Sequence, residues 1–192
     1  NGRRMRLSVW LAALLLCTGP AYGASDAEIY GCRDSSITVY GSSETTRDVI
    51  CAAAADAFAF LERYGIEPKR AIRIEIVEQS IHHGGYAAYG SYDVTSDRIY
   101  LMSYQAVLAS AEQPKMYGEP FDRVHYRGAI AHEVAHAVVD HNSRTSPLSK
   151  AAQEYLAHAT QLAVLPPERR AAIIRAAGVG ALLGGGDVLE DP

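Results

Sequence analysis

Hydrophobic residues recur along the chain at two spacings, which predict an alternation of strands and helices. Residues 71–77 alternate isoleucine with charged residues, the period of a strand with one buried face. Residues 37–41 form a shorter strand of the same kind and end in a turn. Between them, helical spacing predicts a helix from a cap at residues 42–43 to Tyr64, stopped by Gly65. Its predicted buried stripe is Ile50, Ala53, Ala57, Phe60, Leu61 and Tyr64.

The second half of the chain predicts two more strands, followed mainly by helices. The strands are 86–92 and 97–102, followed by a short helix at 103–111 and a loop at 112–121 that carries two prolines and a glycine. Three helices then follow: 122–141, a helix from Ser146 as cap and Pro147 to Leu165, and 168–177 after the Pro166–Pro167 break. We therefore expect a compact α+β fold with a small mixed sheet.

The N-terminal region has a different character. Three arginines precede the apolar run 7–17, and small residues lead to Gly23, which is the pattern of a secretory signal peptide. The run is shorter than the about 20 residues that a membrane span needs, so we predict cleavage after Gly23 rather than anchoring. Residues 24–180 are then expected to form one domain and 181–192 a flexible tail, with the export route left open.

Composition and cysteine content narrow the compartment and the partners. The net charge is −4 and there is no long basic run, which favours neither nucleic acid nor an anionic membrane as partner. Removal of the leader leaves Cys32 and Cys51, which we expect to pair in an oxidising compartment. Two unrelated buried thiols are the alternative. The predicted location is secreted or periplasmic, and the sequence does not indicate the oligomeric state.

A metal-binding motif lies in the predicted helix 122–141. The segment AIAHEVAHAV places His132 and His136 one turn apart on one helical face, with Glu133 beside them. This H-E-x-x-H arrangement is typical of a zinc site in which the glutamate acts as a base. The alternative is a pair of core histidines that find hydrogen-bond partners. Because the surrounding residues are uncharged and mostly small, the histidines need partners of some kind.

A third ligand is expected from outside the motif. A pattern with a histidine six residues after His136 fails, because position 142 is Asn and the glycine expected at 139 is Val. Glu154 fits the other pattern, in which a glutamate on the following helix lies about 18 residues later; 17 residues separate it from His136. A surface charge is the alternative reading of Glu154. Asp140, one turn beyond His136, is a competitor for which we predict a supporting role.

These residues resemble the gluzincin branch of zinc metallopeptidases, and the sequence is similar to secreted bacterial proteins bearing the same motif. The resemblance covers roughly residues 120–165. It implies a zincin-like domain in which a glutamate-bearing helix follows the active-site helix. It also implies one zinc ion per chain, bound by His132, His136 and Glu154. Glu133 would be the general base in hydrolysis of a peptide or protein substrate.

Other assignments around the motif stay open. Gluzincins often carry an acidic residue four positions after the third ligand, where this chain has His158. That imidazole would orient a motif histidine or hydrogen-bond a reaction intermediate, and the adjacent Tyr155 is a further supporting candidate. Strand 97–102 could hold an extended peptide by edge pairing. The pair His82-His83 is read as a solvated loop in preference to a second metal site.

Two functions from different classes follow from the sequence. The favoured one is a secreted or periplasmic zinc-dependent peptidase. The alternative is a catalytically inactive, zinc-stabilised binding or regulatory domain in the periplasm. The presence of Glu133 argues against the alternative, because a purely structural zinc site needs no base.

Overall fold

The computed structural model of this chain describes residues 29–33, 36–41, 44–83, 86–110, 114–143 and 148–178. The predicted signal peptide, the tail 181–192, the cap at 42–43 and Ser146–Pro147 lie outside these residues. The strands are β1 Ile29–Gly31, β2 Ile37–Tyr40, β3 Ile72–Val77, β4 Ile81–His83, β5 Tyr86–Ala88, β6 Gly90–Asp93, β7 Arg98–Met102, β8 Lys115–Met116 and β9 Glu119–Pro120. The helices are α1 Glu44–Glu62, α2 Tyr104–Ser110, α3 Arg123–Ser143, α4 Lys150–Ala163 and α5 Pro167–Ala176.

Five of these strands form a mixed sheet in the order β1-β2-β3-β7-β6. The central pairs β2–β3 and β3–β7 are parallel, while β1 and β6 pair antiparallel at the two edges. Parallel pairing of β2 with β3 requires a crossover, which α1 provides. With five helices beside this sheet, the described chain confirms the predicted α+β class.

The hydrophobic core lies between one face of the sheet and the helices. Alternation along the central strands turns one set of side chains inward, where they join apolar residues of α1 and α3 in a single cluster. The sheet contributes Ile37, Val39, Ile72, Ile74, Ile99 and Leu101, each at most 2 % exposed. A disulfide between Cys32 and Cys51, with Cα atoms 5.5 Å apart, ties the end of β1 to α1 and confirms the predicted pairing.

Three predicted elements need correction. Residues 86–92 are two strands, because β5 turns back on β4 in a hairpin whereas β6 pairs with β7. The predicted loop 112–121 contains the hairpin β8–β9, whose two-residue turn uses Gly118 at a φ of 80°. Helix α4 begins at Lys150 rather than at Pro147, because the Ser149 side chain accepts the backbone N–H of Ala152.

The histidine pair at 82–83 lies in strand β4 rather than in a loop. His82 is exposed, and the side chain of His83 is not among those described. No helix in the described part of the chain combines the length and apolarity that crossing a membrane requires.

Candidate metal centre

Helix α3 carries the motif through the core and packs closely against α4. Small residues make this approach possible: a Cβ added at Gly128 would lie 3.2 Å from Gln161 Cγ and 3.3 Å from Leu165 Cδ2. The missing side chain at Gly128 therefore lets the C-terminal half of α4 rest on α3. The same packing brings the polar face of α4 to the motif histidines.

The three predicted ligand side chains, those of His132, His136 and Glu154, converge between the two helices. His132 Nε2 and His136 Nε2 lie 3.1 Å apart, and Glu154 Oε2 lies 3.7 Å and 3.6 Å from them respectively. Tetrahedral ligands at zinc bond lengths are separated by about 3.3–3.4 Å, so these atoms need shifts of only a few tenths of an ångström to hold an ion of that size. Their arrangement fits a metal ion.

A fourth donor stands beside this group. A nitrogen of His158 and the ligand atoms of His132 and Glu154 all lie within 4.8 Å of one another, and such a set could hold a metal ion. His158 is one turn after Glu154 on α4, and its ring contacts that of His132 edge to face at 4.6 Å between centroids. The residue four positions after Glu154 is thus adjacent to the site.

Gln161 orients the imidazole of His132, a role that sequence reasoning did not assign. Its Oε1 lies 3.1 Å from His132 Nδ1 and 3.2 Å from His158 Nδ1. An amide oxygen only accepts, so the hydrogen bonds place the proton on Nδ1 and leave Nε2 of His132 with its lone pair. Gln161 lies seven positions after Glu154 on the same helix, and this spacing is the only sequence signal for it.

The His132 imidazole is neutral at physiological pH. Burial lowers its pKa to about 3, and the neighbouring His136 and His158 act in the same direction, while the hydrogen bond with Gln161 opposes them. A ligand nitrogen must be unprotonated to bind a metal. The protein environment therefore holds His132 in its metal-binding form.

Glu133 is buried beside the ligands, with 8 % of its surface exposed. Burial raises the pKa of its carboxyl to about 8, the charge of Glu154 adds to this effect, and a hydrogen bond from the backbone N–H of Tyr92 works against it. A bound cation would favour the ionised carboxylate instead. Glu133 is thus a carboxyl group whose protonation responds to the charge at the adjacent ligands.

Two cavities flank His132 and Glu133, one on each side, and both are bounded by Ala88 and Gly90. The larger, about 460 Å³, is also lined by Ser91, Tyr92, His136, Asp140, Gln153 and Glu154. The smaller, about 190 Å³, is also lined by Tyr89, Met116, Tyr117, Ala129, His158 and Gln161. Both cavities adjoin the candidate metal site, and we refer to the two together as the cleft.

The strand that borders this cleft is β6. The sequence analysis predicts that strand 97–102 pairs with a peptide at the edge of the sheet. In the structure, β7 (Arg98–Met102) pairs with β3 on one side and with β6 on the other. That prediction is wrong, because β6 completes the sheet beyond β7 and forms its edge within the described chain. The backbone of β6 lies next to Glu133.

Asp140 and Tyr155, for which supporting roles were predicted, both lie outside the group of candidate ligands. Asp140 accepts hydrogen bonds from Tyr92 OH at 3.0 Å and from Arg70 at 3.3 Å, and it lines the larger cavity. It therefore links β6 to α3 rather than joining the ligand group. Tyr155 is 73 % exposed and lines neither cavity.

Tyr117 is a further residue of the cleft that the sequence did not single out. It occupies the hairpin turn with a φ of 54°, and its hydroxyl lies 3.4 Å from His158 Nδ1. A positive φ is unfavourable for tyrosine, and such strain is concentrated at functional sites. Burial raises its pKa to about 12, so the hydroxyl remains a proton donor at neutral pH.

Comparison with known proteins gives one match. No curated protein matches the chain. No solved structure matches it either. The model of one family, described as Family of unknown function (DUF6639), matches residues 37–185, which is more than half of the chain, and the chain belongs to that family.

Proposed function

We propose that this protein is a zinc-dependent peptidase that acts outside the cytoplasm. The observation that carries the proposal is the convergence of three donors from two helices at near-tetrahedral spacing, beside the buried carboxyl of Glu133. The Cys32–Cys51 bridge and the signal-like N-terminal sequence support a secreted or periplasmic location.

Zinc is the metal that the donor set favours. Two imidazole nitrogens and one carboxylate oxygen, with a coordination position left open, are typical of hydrolytic zinc sites. When bound, zinc would supply Lewis acidity that acidifies a water molecule and polarises a peptide carbonyl. His132, His136 and Glu154 would hold the ion, and Gln161 would fix the His132 ring for it.

Glu133 has the position required of a general base. It borders both cavities and follows His132 directly on α3, so its carboxylate would be close to a water molecule bound beside the ligands. Ionised next to a bound cation, Glu133 would take a proton from that water at one carboxylate oxygen. It would then pass the proton to the leaving amine.

Strand β6 supports a peptide as the substrate. An extended chain can add to the edge of a sheet through main-chain hydrogen bonds. Because both cavities are bounded by Gly90, a peptide lying along β6 would cross the site from one cavity to the other. The scissile bond would then pass between the ligands and Glu133.

Tyr117 is the donor best placed to stabilise negative charge on the attacked carbonyl oxygen. Its hydroxyl and His158 both line the smaller cavity together with His132 and Glu133. The Nδ1–H of His158 is directed at Gln161 Oε1, so its Nε2 carries a lone pair and would accept a hydrogen bond. Since Gln161 already orients His132, the imidazole of His158 is not needed for that role. We assign His158 to hydrogen bonding with the reacting group.

One observation favours a second function. If His158 moved to complete the ligand set with His132, His136 and Glu154, the site would be closed by four protein donors, and closed zinc sites are structural. The protein would then be a zinc-stabilised binding or regulatory domain. His158 therefore distinguishes the two functions.

Three variants test the proposal. Glu133→Gln keeps the ligands, so bound zinc should stay near one per chain while peptide hydrolysis falls by about 10²–10⁴-fold. Glu154→Gln replaces a charged ligand by a weak amide and should lose both zinc and activity. His158→Gln should keep zinc and lose turnover. The measurements are metal content by mass spectrometry and cleavage of a peptide library.

Two other outcomes would contradict the proposal, each in a different part. A wild-type protein that binds zinc but cleaves no member of the library, with a zinc affinity that falls in His158→Gln, supports the structural site and overturns the peptidase. Full zinc binding by Glu154→Gln together with loss in Asp140→Asn would show that the third ligand is assigned incorrectly.

A further inference from the structure

We infer that Gly90 is a positioning residue for Glu133: it is a glycine because any side chain there would displace the carboxyl group. Its catalytic consequence rests on the proposed function, while its effect on the position of Glu133 does not. The residue belongs to edge strand β6 and is buried.

The contact is between Gly90 and the middle of the Glu133 side chain. A Cβ at position 90 would lie 2.6 Å from Glu133 Cγ, 3.1 Å from Cδ and 3.2 Å from Oε1. The first distance is well inside van der Waals contact, and three successive groups of the same side chain are involved. A methyl group at Gly90 therefore requires the whole Glu133 side chain to move.

Backbone conformation does not explain this glycine. Gly90 is not among the described residues with a positive φ, so other residues could adopt its conformation. Glycine in a strand interior is unfavourable and often marks a site of close approach. The close approach of the Glu133 side chain is therefore the structural reason for a glycine at position 90.

A second restraint comes from the same strand. The backbone N–H of Tyr92 faces the Glu133 carboxyl group and acts to lower its pKa. The absence of a side chain at Gly90 lets the Glu133 stem lie against β6, and the Tyr92 N–H favours the carboxylate in that position. Strand β6 thereby fixes the general base relative to the ligands on α3, and a shift of 1 Å in such a group can cost about 10²-fold in rate.

The test is a double-mutant cycle between the two residues. Gly90→Ala should lower Tm by about 2–10 °C because the added methyl overlaps Glu133. In the Glu133→Ala background the Cγ, Cδ and carboxyl atoms are gone, so the same Gly90→Ala change should leave Tm nearly unaltered. Gly31→Ala is the matched control, because a Cβ at Gly31 would have no atom within 4 Å.

A catalytic arm is measured on the zinc-loaded proteins. Gly90→Ala should lower kcat by about 10²-fold, with KM and bound zinc close to the wild-type values, while Gly31→Ala should match wild type throughout. A role limited to strand stability would leave kcat of the folded, zinc-loaded protein unchanged. Equal Tm losses from Gly90→Ala in both backgrounds, or an unchanged kcat, would overturn the inference.

The two proposals can fail separately. If the wild type cleaves no peptide, the peptidase proposal fails, yet the Tm cycle still decides whether Gly90 makes room for Glu133. If Gly90→Ala does not fold, a folded Gly90→Ala/Glu133→Ala protein supports the inference. An unfolded double variant contradicts it.

Discussion

Gln161 joins two imidazoles through a single oxygen atom. Its Oε1 accepts from His132 and His158, while its amide nitrogen lies 2.9 Å from Met116 Sδ. The residue is 3 % exposed, so its removal would leave a buried imidazole N–H without an acceptor. The orientation of the candidate ligand His132 therefore depends on Gln161, a residue that is not itself a candidate ligand.

Replacement of Gln161 should weaken zinc binding without removing a ligand. Gln161→Leu lacks the acceptor and should raise the zinc Kd by about 10–100-fold, whereas Gln161→Glu retains an acceptor oxygen and should stay near wild type. Competition with a chromophoric chelator measures both. Gln105→Leu, at an exposed position of α2, is the control. An unchanged Kd in Gln161→Leu would exclude an orienting role.

The sequence predicts those site residues whose positions follow from helical spacing. His132 and His136 are one turn apart, and Glu154 lies on the next predicted helix, so local periodicity brings them into consideration. Gly90 and Tyr117 reach the cleft from a strand and a hairpin that are distant in sequence. The contact of Gly90 with Glu133 and that of Tyr117 with His158 arise only when these elements pack on α3 and α4, and no local pattern encodes that packing.

At the scale of elements, the β6–β7 hairpin is fastened to α3 by a polar cluster. Asp97, in the turn, accepts hydrogen bonds from Arg70, from Tyr92 OH at 2.8 Å and from His141 Nε2 at 2.9 Å. Partial burial acts to raise the pKa of Asp97, but these donors outweigh it and hold the pKa well below its usual range. The cluster thereby fixes the strand that contacts Glu133.

Asp97→Asn should destabilise the protein in a pH-dependent way. A carboxyl whose folded pKa is depressed contributes stability above its unfolded pKa of about 3.9, and that contribution is lost as pH falls toward the folded value. The variant should therefore lose about 1–2 kcal/mol at pH 7, with the difference from wild type shrinking below about pH 4. Asparagine tolerates the φ of 53° at this position.

The measurement is Tm from pH 7 to pH 3 with chelator present, so that release of metal in acid does not contribute. Asp48→Asn is the control, because its carboxylate side chain on α1 is 71 % exposed. A difference between wild type and Asp97→Asn that is constant over the whole range would show that the charge of Asp97 is not what stabilises the hairpin.

Element prediction succeeds where one pattern dominates a segment. Strand β3 and helix α1 each follow a clear period, and both form with bounds close to those expected. The Tyr- and Gly-rich segment 86–93 has no such period, and its division into β5 and β6 depends on which partner strand each part meets. Pairing of this kind is decided by tertiary contacts.

At the scale of the whole molecule, the candidate ligands link two parts of the chain. His132 and His136 belong to α3, which runs through the core, whereas Glu154 belongs to α4, whose surface is largely half-exposed. A metal ion held by all three would therefore join α4 to the core. Because the unfolded chain lacks this arrangement, binding would stabilise the folded state.

Removal of the metal should accordingly lower Tm. At free zinc about 1,000 times Kd, the stabilisation is about 4 kcal/mol, which corresponds to a Tm shift of about 8–16 °C for a domain of this size. Wild type and Glu133→Gln should show the same shift on adding chelator, because Glu133 is not a ligand. Glu154→Gln should start near the chelated value and respond weakly, because two imidazoles alone hold zinc poorly. Differential scanning calorimetry with and without chelator measures all three, and a full wild-type shift in Glu154→Gln would show that α4 is not joined to α3 through the metal.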